Sequence, residues 1–327
     1  MVHLFAKKAL FTFSLFAFPL LAFSQNTPFS KVDEYTANFD QKFVDIPTLA
    51  TQLTEPFESD LEKSRALFMW IAHHVRYDCR KFHKPKGPTF RASTKEELDR
   101  KIEEWRKREV IKTAKSKTGI CEDYSRLFKA LCDEVGLEAV VIVGNARDFY
   151  KPYRRAHNNS HAWNAVKIDG QWRLLDATWA AGHVNPEVTK FTREIKPGYF
   201  MPDPAWLGQT HFPDEEKWQL SAAPLDKKSF PKQPMINFGQ NDFPILDFSK
   251  SIADTNEKKY DKEIRIKMEN KPKHFMVASQ KRKPIQFSQS TEDGYEVFRF
   301  SSSGARDIVI FCGNNERQMD WLARYDL

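Results

Sequence analysis

The chain has 327 residues, 29% of them charged, and carries 51 Lys and Arg against 44 Asp and Glu for a formal net charge of +7. That length is enough for a well-buried core and, at about 100–200 residues per domain, favours two domains over one. The small positive excess is interleaved with acids through residues 95–117 and 250–283, as on solvated faces, and no nucleic-acid motif accompanies it. Nucleic acid is therefore excluded as a partner, whereas an acidic cell-envelope polymer stays open.

Residues 1–8 are short and basic, 9–23 are apolar, and Ala22-Phe23-Ser24 precedes Gln25. This is the pattern of a secretory signal peptide over 1–24, cleaved near Ser24/Gln25. The apolar run contains Pro19 and falls short of the roughly 20 residues of a membrane span, and no later run is longer. The mature protein is expected to be secreted or periplasmic, with no integral membrane segment after signal removal.

Ser59-Asp60-Leu61-Glu62 has the form of a capping box and opens a predicted helix over 59–76, with Leu61, Leu67, Trp70, Ile71 and Val75 near helical spacing. A second box, Thr94-Lys95-Glu96-Glu97, opens a charged helix whose narrow stripe of Leu98, Ile102, Trp105 and Val110 predicts a surface position. Cys121, Tyr124, Phe128, Leu131, Cys132 and Val135 then define a buried helix starting at Cys121, with Gly136 as its stop. Residues 139–143, closed by Gly144, read as a central strand, and 145–158 as a polar, aromatic loop. Asp169-Gly170 predicts a two-residue hairpin joining strands over 160–168 and 171–176.

From about residue 225 the helical periodicity disappears. Short strand candidates follow at 264–268, 275–278, 285–287, 295–300 and 308–311, with a turn at Asp293-Gly294. The expected organisation is an α+β domain over 25–224 and a linker plus β-rich, sandwich-like domain over 225–327.

Of the four cysteines, Cys121 and Cys132 would stand roughly 16 Å apart along one helix and cannot pair. A Cys79–Cys312 pair stays open in an oxidising compartment. Cys132 and Cys312 read as buried small hydrophobes, and Cys79 has no assigned role.

A cysteine in the first turn of a helix lies where unpaired N–H groups and the helix dipole favour thiolate over thiol. Its own N–H can serve a developing oxyanion. Counting back from the Asp169-Gly170 turn pairs Ile168 with Gln171, Trp163 with Asp176 and His161 with Thr178. Strand alternation then sets His161 and Asp176 on one face, close enough diagonally for the carboxylate to orient the imidazole. Each residue alone has a bland alternative: a buried cysteine, a half-buried strand histidine, a turn-forming aspartate. The combination is more specific than any member. No metal pattern occurs: His73-His74 cannot share a helix face, and there is no HExxH, two-cysteine zinc or calcium-loop motif. No cofactor is implied. His183 and His211 read as supporting residues.

Thr118-Gly119-Ile120-Cys121-Glu122-Asp123-Tyr124-Ser125, His161-Ala162-Trp163-Asn164 and Leu175-Asp176-Ala177-Thr178-Trp179-Ala180-Ala181-Gly182 resemble the three motifs of the transglutaminase-like superfamily. The stretch from Trp70-Ile71 to Tyr77-Asp78 resembles its upstream helix end. Tyr199-Phe200, His211-Phe212-Pro213 and Trp218-Gln219-Leu220 are similar to a segment of the kyphoscoliosis peptidase branch. The resemblance spans roughly 55–222. It implies a papain-like core in which the cysteine helix packs on an antiparallel sheet, with Cys121 as nucleophile, His161 as general acid–base and Asp176 as its orienting partner. Asp123 departs from the Gly of many relatives, and no Gln or Asn just upstream of Cys121 supplies a second oxyanion donor.

The implied activity is a Cys-His-Asp peptidase, deamidase or transglutaminase acting on protein or peptide amides through a thioester. Trp163 and Trp179 flank the site as substrate-contacting candidates, with core packing as their alternative. The competing class is a non-catalytic binding or scaffold module of the same fold.

Overall fold

The computed structural model describes residues 29–84, 87–147, 160–237, 243–257, 259–279, 281, 283–301 and 304–327. The expected signal peptide and most of the 145–158 loop lie outside these. Among the described residues no helix is long and apolar enough to cross a membrane.

The first capping box forms as read: Glu62 N–H donates to Ser59 Oγ at 3.2 Å, and the Glu62 carboxylate accepts from Ser59 N–H at 3.4 Å. The helix Asp60–His74 then buries Leu67, Phe68, Met69, Trp70 and Ile71. Burying side chains of this size stabilises by about 1.5–3 kcal/mol each. Two short helices, Ser30–Ala37 and Ile46–Thr54, pack against it and have no counterpart in the sequence reading. Thr94 caps the long helix Lys95–Ser116, which buries only Val110, Thr113 and Ala114 and so lies on the surface, as its charge predicts.

Thr118–Gly119 pairs in parallel with Arg76–Tyr77 and leads into the helix Cys121–Glu134. A Cβ on Gly119 would stand 2.6 Å from Asp123 Cβ and 3.2 Å from Thr113 Cγ2, so only glycine lets the chain approach the first turn of this helix. The helix turns Tyr124, Leu127, Phe128, Leu131 and Cys132 into the core, and Gly136, at φ 75°, ends it.

That helix packs on a four-stranded antiparallel sheet in the order Gln171–Leu175, His161–Ile168, Ala139–Ala146, His211–Pro213. Asp169 and Gly170 both take positive φ, 49° and 76°, and the register pairs Ile168 with Gln171 through Asn164 with Leu175. Beyond that point the sequence register fails. Asp176 caps the helix Ala177–Ala181 instead of continuing the strand, so Thr178 does not face His161, whose partner is Gly144. The cause is local: the Asp176 carboxylate takes the free N–H groups of Thr178 and Trp179, which an extended chain would not offer it. Gly144 also lies inside the central strand rather than closing it.

The C-terminal residues form two antiparallel sheets. One orders Ile245–Phe248, Lys262–Met268, Tyr295–Phe300, Phe287–Glu292; the other His274–Ala278, Asp307–Asn315, Gln318–Asp326, Met235–Ile236. Ile264, Ile266, Phe298 and Phe300 from the first meet Val277, Ile308, Ile310 and Leu322 from the second in a separate core. This is a sandwich. Its Asp293-Gly294 turn has both residues at positive φ, 51° and 79°. The candidate at 285–287 moves to Phe287–Glu292, and Gln318–Asp326 has no counterpart in the sequence reading.

Buried Arg147 at the end of the central sheet strand donates to the carbonyls of Gln209, Pro231 and Gln233. It thereby ties this sheet to the segment entering the sandwich. Cys79, Cys121, Cys132 and Cys312 are all free. Burial pushes the Cys132 thiol well up, and pushes Cys312 up to about 12, as inert core cysteines require.

Candidate active site

Cys121 is the first residue of its helix and is partly exposed. Asp123 reaches back to accept from Ile120 N–H at 2.8 Å, and its other oxygen receives Lys81 Nζ at 2.8 Å. Lys81 also meets Glu109 at 2.7 Å, so one ammonium joins the cysteine helix to the long surface helix. Burial raises the Asp123 carboxyl, with Lys81 opposing. Within the first turn, Ser125 Oγ donates to Cys121 O at 2.9 Å. Asn164 Nδ2 donates to Ser125 O at 2.9 Å and to Val140 O at 3.0 Å, locking the cysteine helix to the sheet that carries His161.

His161, 7% exposed, begins its strand. Its Nε2 meets Asp176 Oδ2 at 2.7 Å, and Cys121 is close enough to act on the charge of the same ring; with Nε2 engaged, Nδ1 is the nitrogen left for the sulfur. Burial alone would lower the imidazole. The Asp176 carboxylate, by charge and hydrogen bond, together with Cys121, more than offsets this and pushes it up to about 10. Asp176 is fully buried, yet His161 and then His211 hold its carboxyl well below the usual carboxylate range. Its Oδ1 accepts from Thr178 N–H at 2.8 Å and Trp179 N–H at 3.1 Å. Its own N–H donates to Tyr199 O at 3.0 Å. The residue that orients the imidazole is therefore fixed by the start of a helix.

The structure thus joins His161 to Asp176, with Cys121 within electrostatic reach of the ring. Trp163, only 1% exposed, packs behind the imidazole at a ring-centroid distance of 5.9 Å, a core position rather than a substrate-contacting one. Half-buried Trp179 lies 5.7 Å from His161 and 4.5 Å from His211. The pair walls the imidazoles off from water. Exposed His183 pairs with Glu194 on the surface and takes no part.

His211, read from the sequence as a supporting residue, takes that place here, with a partner the sequence did not reveal. It is 2% exposed, and its Nε2 meets Asp176 Oδ2 at 3.0 Å. Its signal was present in the branch-specific segment His211-Phe212-Pro213, but no local pattern places that segment beside Asp176. His161, Asp176 and His211 bring three potential ligand atoms within 4.8 Å of one another. These atoms are joined through one carboxylate oxygen at hydrogen-bonding distances, and we read them as a proton network.

A helix-start cysteine on an antiparallel sheet bearing a His–Asp pair places the fold in the papain-like class. The sequence model of the transglutaminase-like superfamily matches residues 47–177. Kyphoscoliosis peptidase of Mus musculus is 32% identical over 184 residues, covering 56% of this chain and 25% of that protein. The Homo sapiens protein of the same name is 30% identical over 204 residues, covering 62% and 28%. A solved TGase structure is 17% identical with a TM-score of 0.28, over 48% of this chain and 35% of that one. Residues 47–177 match the transglutaminase-like superfamily, and the chain is similar over that region and beyond it to kyphoscoliosis peptidase. It spans about a quarter of the length of the curated relatives that it matches.

Proposed function

We propose that this protein is an exported, cysteine-dependent acyl-transfer enzyme acting on protein or peptide amides. The observation that carries the reading is the buried His161 ring, bonded to Asp176 at 2.7 Å with the helix-start Cys121 near enough to add to its rise. With its imidazole pushed up to about 10, His161 is an imidazolium at neutral pH, the partner that a thiolate nucleophile needs.

Cys121 Sγ attacks the amide carbonyl carbon, and the oxyanion that forms is met by the Cys121 backbone N–H. As the C–N bond breaks, the Nδ1 proton of His161 passes to the departing amine or ammonia, leaving a thioester on Cys121. Water or a second amine then attacks the thioester, giving its proton to His161 as the C–S bond breaks. Water makes the protein a peptidase or deamidase, and an amine makes it a transglutaminase. Asp176 keeps the imidazole turned to the sulfur throughout and balances its charge.

The test is alkylation of the mature protein with iodoacetamide across pH, the modified cysteine being located by peptide mass analysis. Cys121 is expected to react far faster than Cys79, Cys132 or Cys312, and C121S to abolish both labelling at that position and amine incorporation into a glutaminyl peptide. Equally slow labelling of all four cysteines in folded protein would overturn the proposal and favour a binding module with an idle triad.

A further inference from the structure

His161 and His211 approach each other across the central strand of the sheet. His161 pairs with Gly144 on one side of that strand, and His211 pairs with Ala146 on the other. Positions 144 and 146 are two apart and share a face, so the two imidazoles meet over the smallest side chains available, with ring centroids 5.3 Å apart. A Cβ at Gly144 would stand 2.3 Å from Phe212 O, 2.7 Å from Pro213 Cα and 2.8 Å from Trp163 Cη2. Glycine at this position therefore lets the short strand that carries the second histidine lie against the central one.

Beyond that histidine the hydrogen bonds continue. Thr210 Oγ1 lies 2.9 Å from His211 Nδ1 and 3.2 Å from Leu207 O, and because the Asp176 carboxylate beside Nε2 can only accept, Nε2 carries a proton. That N–H donates to Asp176 Oδ2, the oxygen that also receives His161. From this geometry we infer that His211 is a positioning residue for the acyl-transfer site: it holds Asp176 Oδ2 in place and limits the share of that oxygen available to His161. The inference rests on the proposed role of Cys121.

Burial pulls the His211 imidazole below its ordinary range, Asp176 opposes, and the neighbouring His161 adds to the lowering. The residue acts as a neutral donor. Other titratable groups facing the cluster are Cys121 and Tyr124 from the cysteine helix and Tyr199 from the segment Pro197–Tyr199. The two tyrosines are pushed further up by burial and stay neutral over the same range.

The test compares wild type, H211F, H211Q and T210V by pH-dependent alkylation of Cys121 and by turnover of a glutaminyl peptide. H211F removes the donor at similar volume. It is expected to lower kcat by about ten- to hundred-fold, the scale for outer partners that orient a functional histidine, with KM unchanged. The alkaline limb of the alkylation profile is expected to move up by about one pH unit as His161 gains the whole oxygen. H211Q, which can return an N–H to the same place, should restore the wild-type limb, and T210V should shift it partway.

If H211F loses its cooperative melt, T210V and H211Q decide, since each removes less. A wild-type limb in H211F, or in T210V where H211F does not fold, overturns the inference while leaving the nucleophile assignment intact. Absence of selective Cys121 labelling in wild type would instead bring down the reading on which the inference rests.

Discussion

Replacing Asp176 by Asn changes one atom pair and tests the site most sharply. Asn can keep its carbonyl oxygen under Thr178 and Trp179 N–H, so the helix Ala177–Ala181 retains its cap. Its amide nitrogen then stands where Oδ2 receives His161 at 2.7 Å and His211 at 3.0 Å, setting donor against two donors. His161 must give up its Nε2 proton and His211 must change tautomer, so that His161 then turns an N–H without positive charge toward Cys121. Breaking a buried pair by removing one partner costs about 3–5 kcal/mol. Because the side chain keeps its volume and its cap, worth about 1 kcal/mol, the lower part of that range is expected.

At about 2–4 °C per kcal/mol for a domain of this size, the thermal midpoint should fall by roughly 6–12 °C. Turnover should fall by about 10⁴, as when a triad carboxylate is replaced by its amide, with a smaller effect on alkylation of Cys121. D176A should melt about 1 kcal/mol below D176N, because it also loses the cap. Differential scanning calorimetry and amine incorporation measure both effects. A D176N protein within threefold of wild-type turnover would refute the assignment of Asp176 as the orienting group.

Three further outcomes follow from the same geometry. Gly144→Ala puts a methyl against the backbone of Phe212 and Pro213, which cannot give way as a flexible side chain could; overpacking of this kind costs about 1–3 kcal/mol, and displacement of the strand should lower kcat through His211, read by melting and turnover together. Lys81→Met leaves Asp123 without its cation and Glu109 with Lys112 alone, and should slow Cys121 alkylation severalfold while lowering the melt by a few degrees; an unchanged rate would show that the ion pair is purely structural. Stability should also depend on pH with a definite sign. The His161 imidazole is raised in the folded state, so its contribution is complete below its unfolded value near 6.5 and is lost as pH rises toward about 10. Asp176 is lowered, so its contribution is present above about pH 4 and is lost as pH falls further. The wild-type melt should decline from pH 7 to 10, and D176N should show a flatter alkaline limb.

Local chemistry in the sequence was enough for the caps at Ser59 and Thr94, the cysteine helix and its glycine stop, and both Asp-Gly hairpins, because each is decided by contacts within a few residues. The hairpin register followed from turn geometry and was right as far as Leu175, and the three motifs carried Cys121, His161 and Asp176 together as candidates. What the sequence misjudged was the step after Leu175: Asp176 leaves the ladder because its carboxylate caps a helix, so its approach to His161 is not the diagonal contact of two strands. Trp163 and Trp179 looked equivalent beside the site, and only packing separated a buried wall from a half-exposed one. His211 read as a supporting residue, but the group it supports was not legible. It lies 35 residues beyond Asp176, on a three-residue strand too short to leave a periodic signal, and only the antiparallel sheet, with Gly144 and Ala146 as its floor, brings its ring to the same carboxylate oxygen. Caps, turns and helix faces depend on neighbours along the chain and are legible there; the shared carboxylate depends on strand order, which is set only when the sheet assembles.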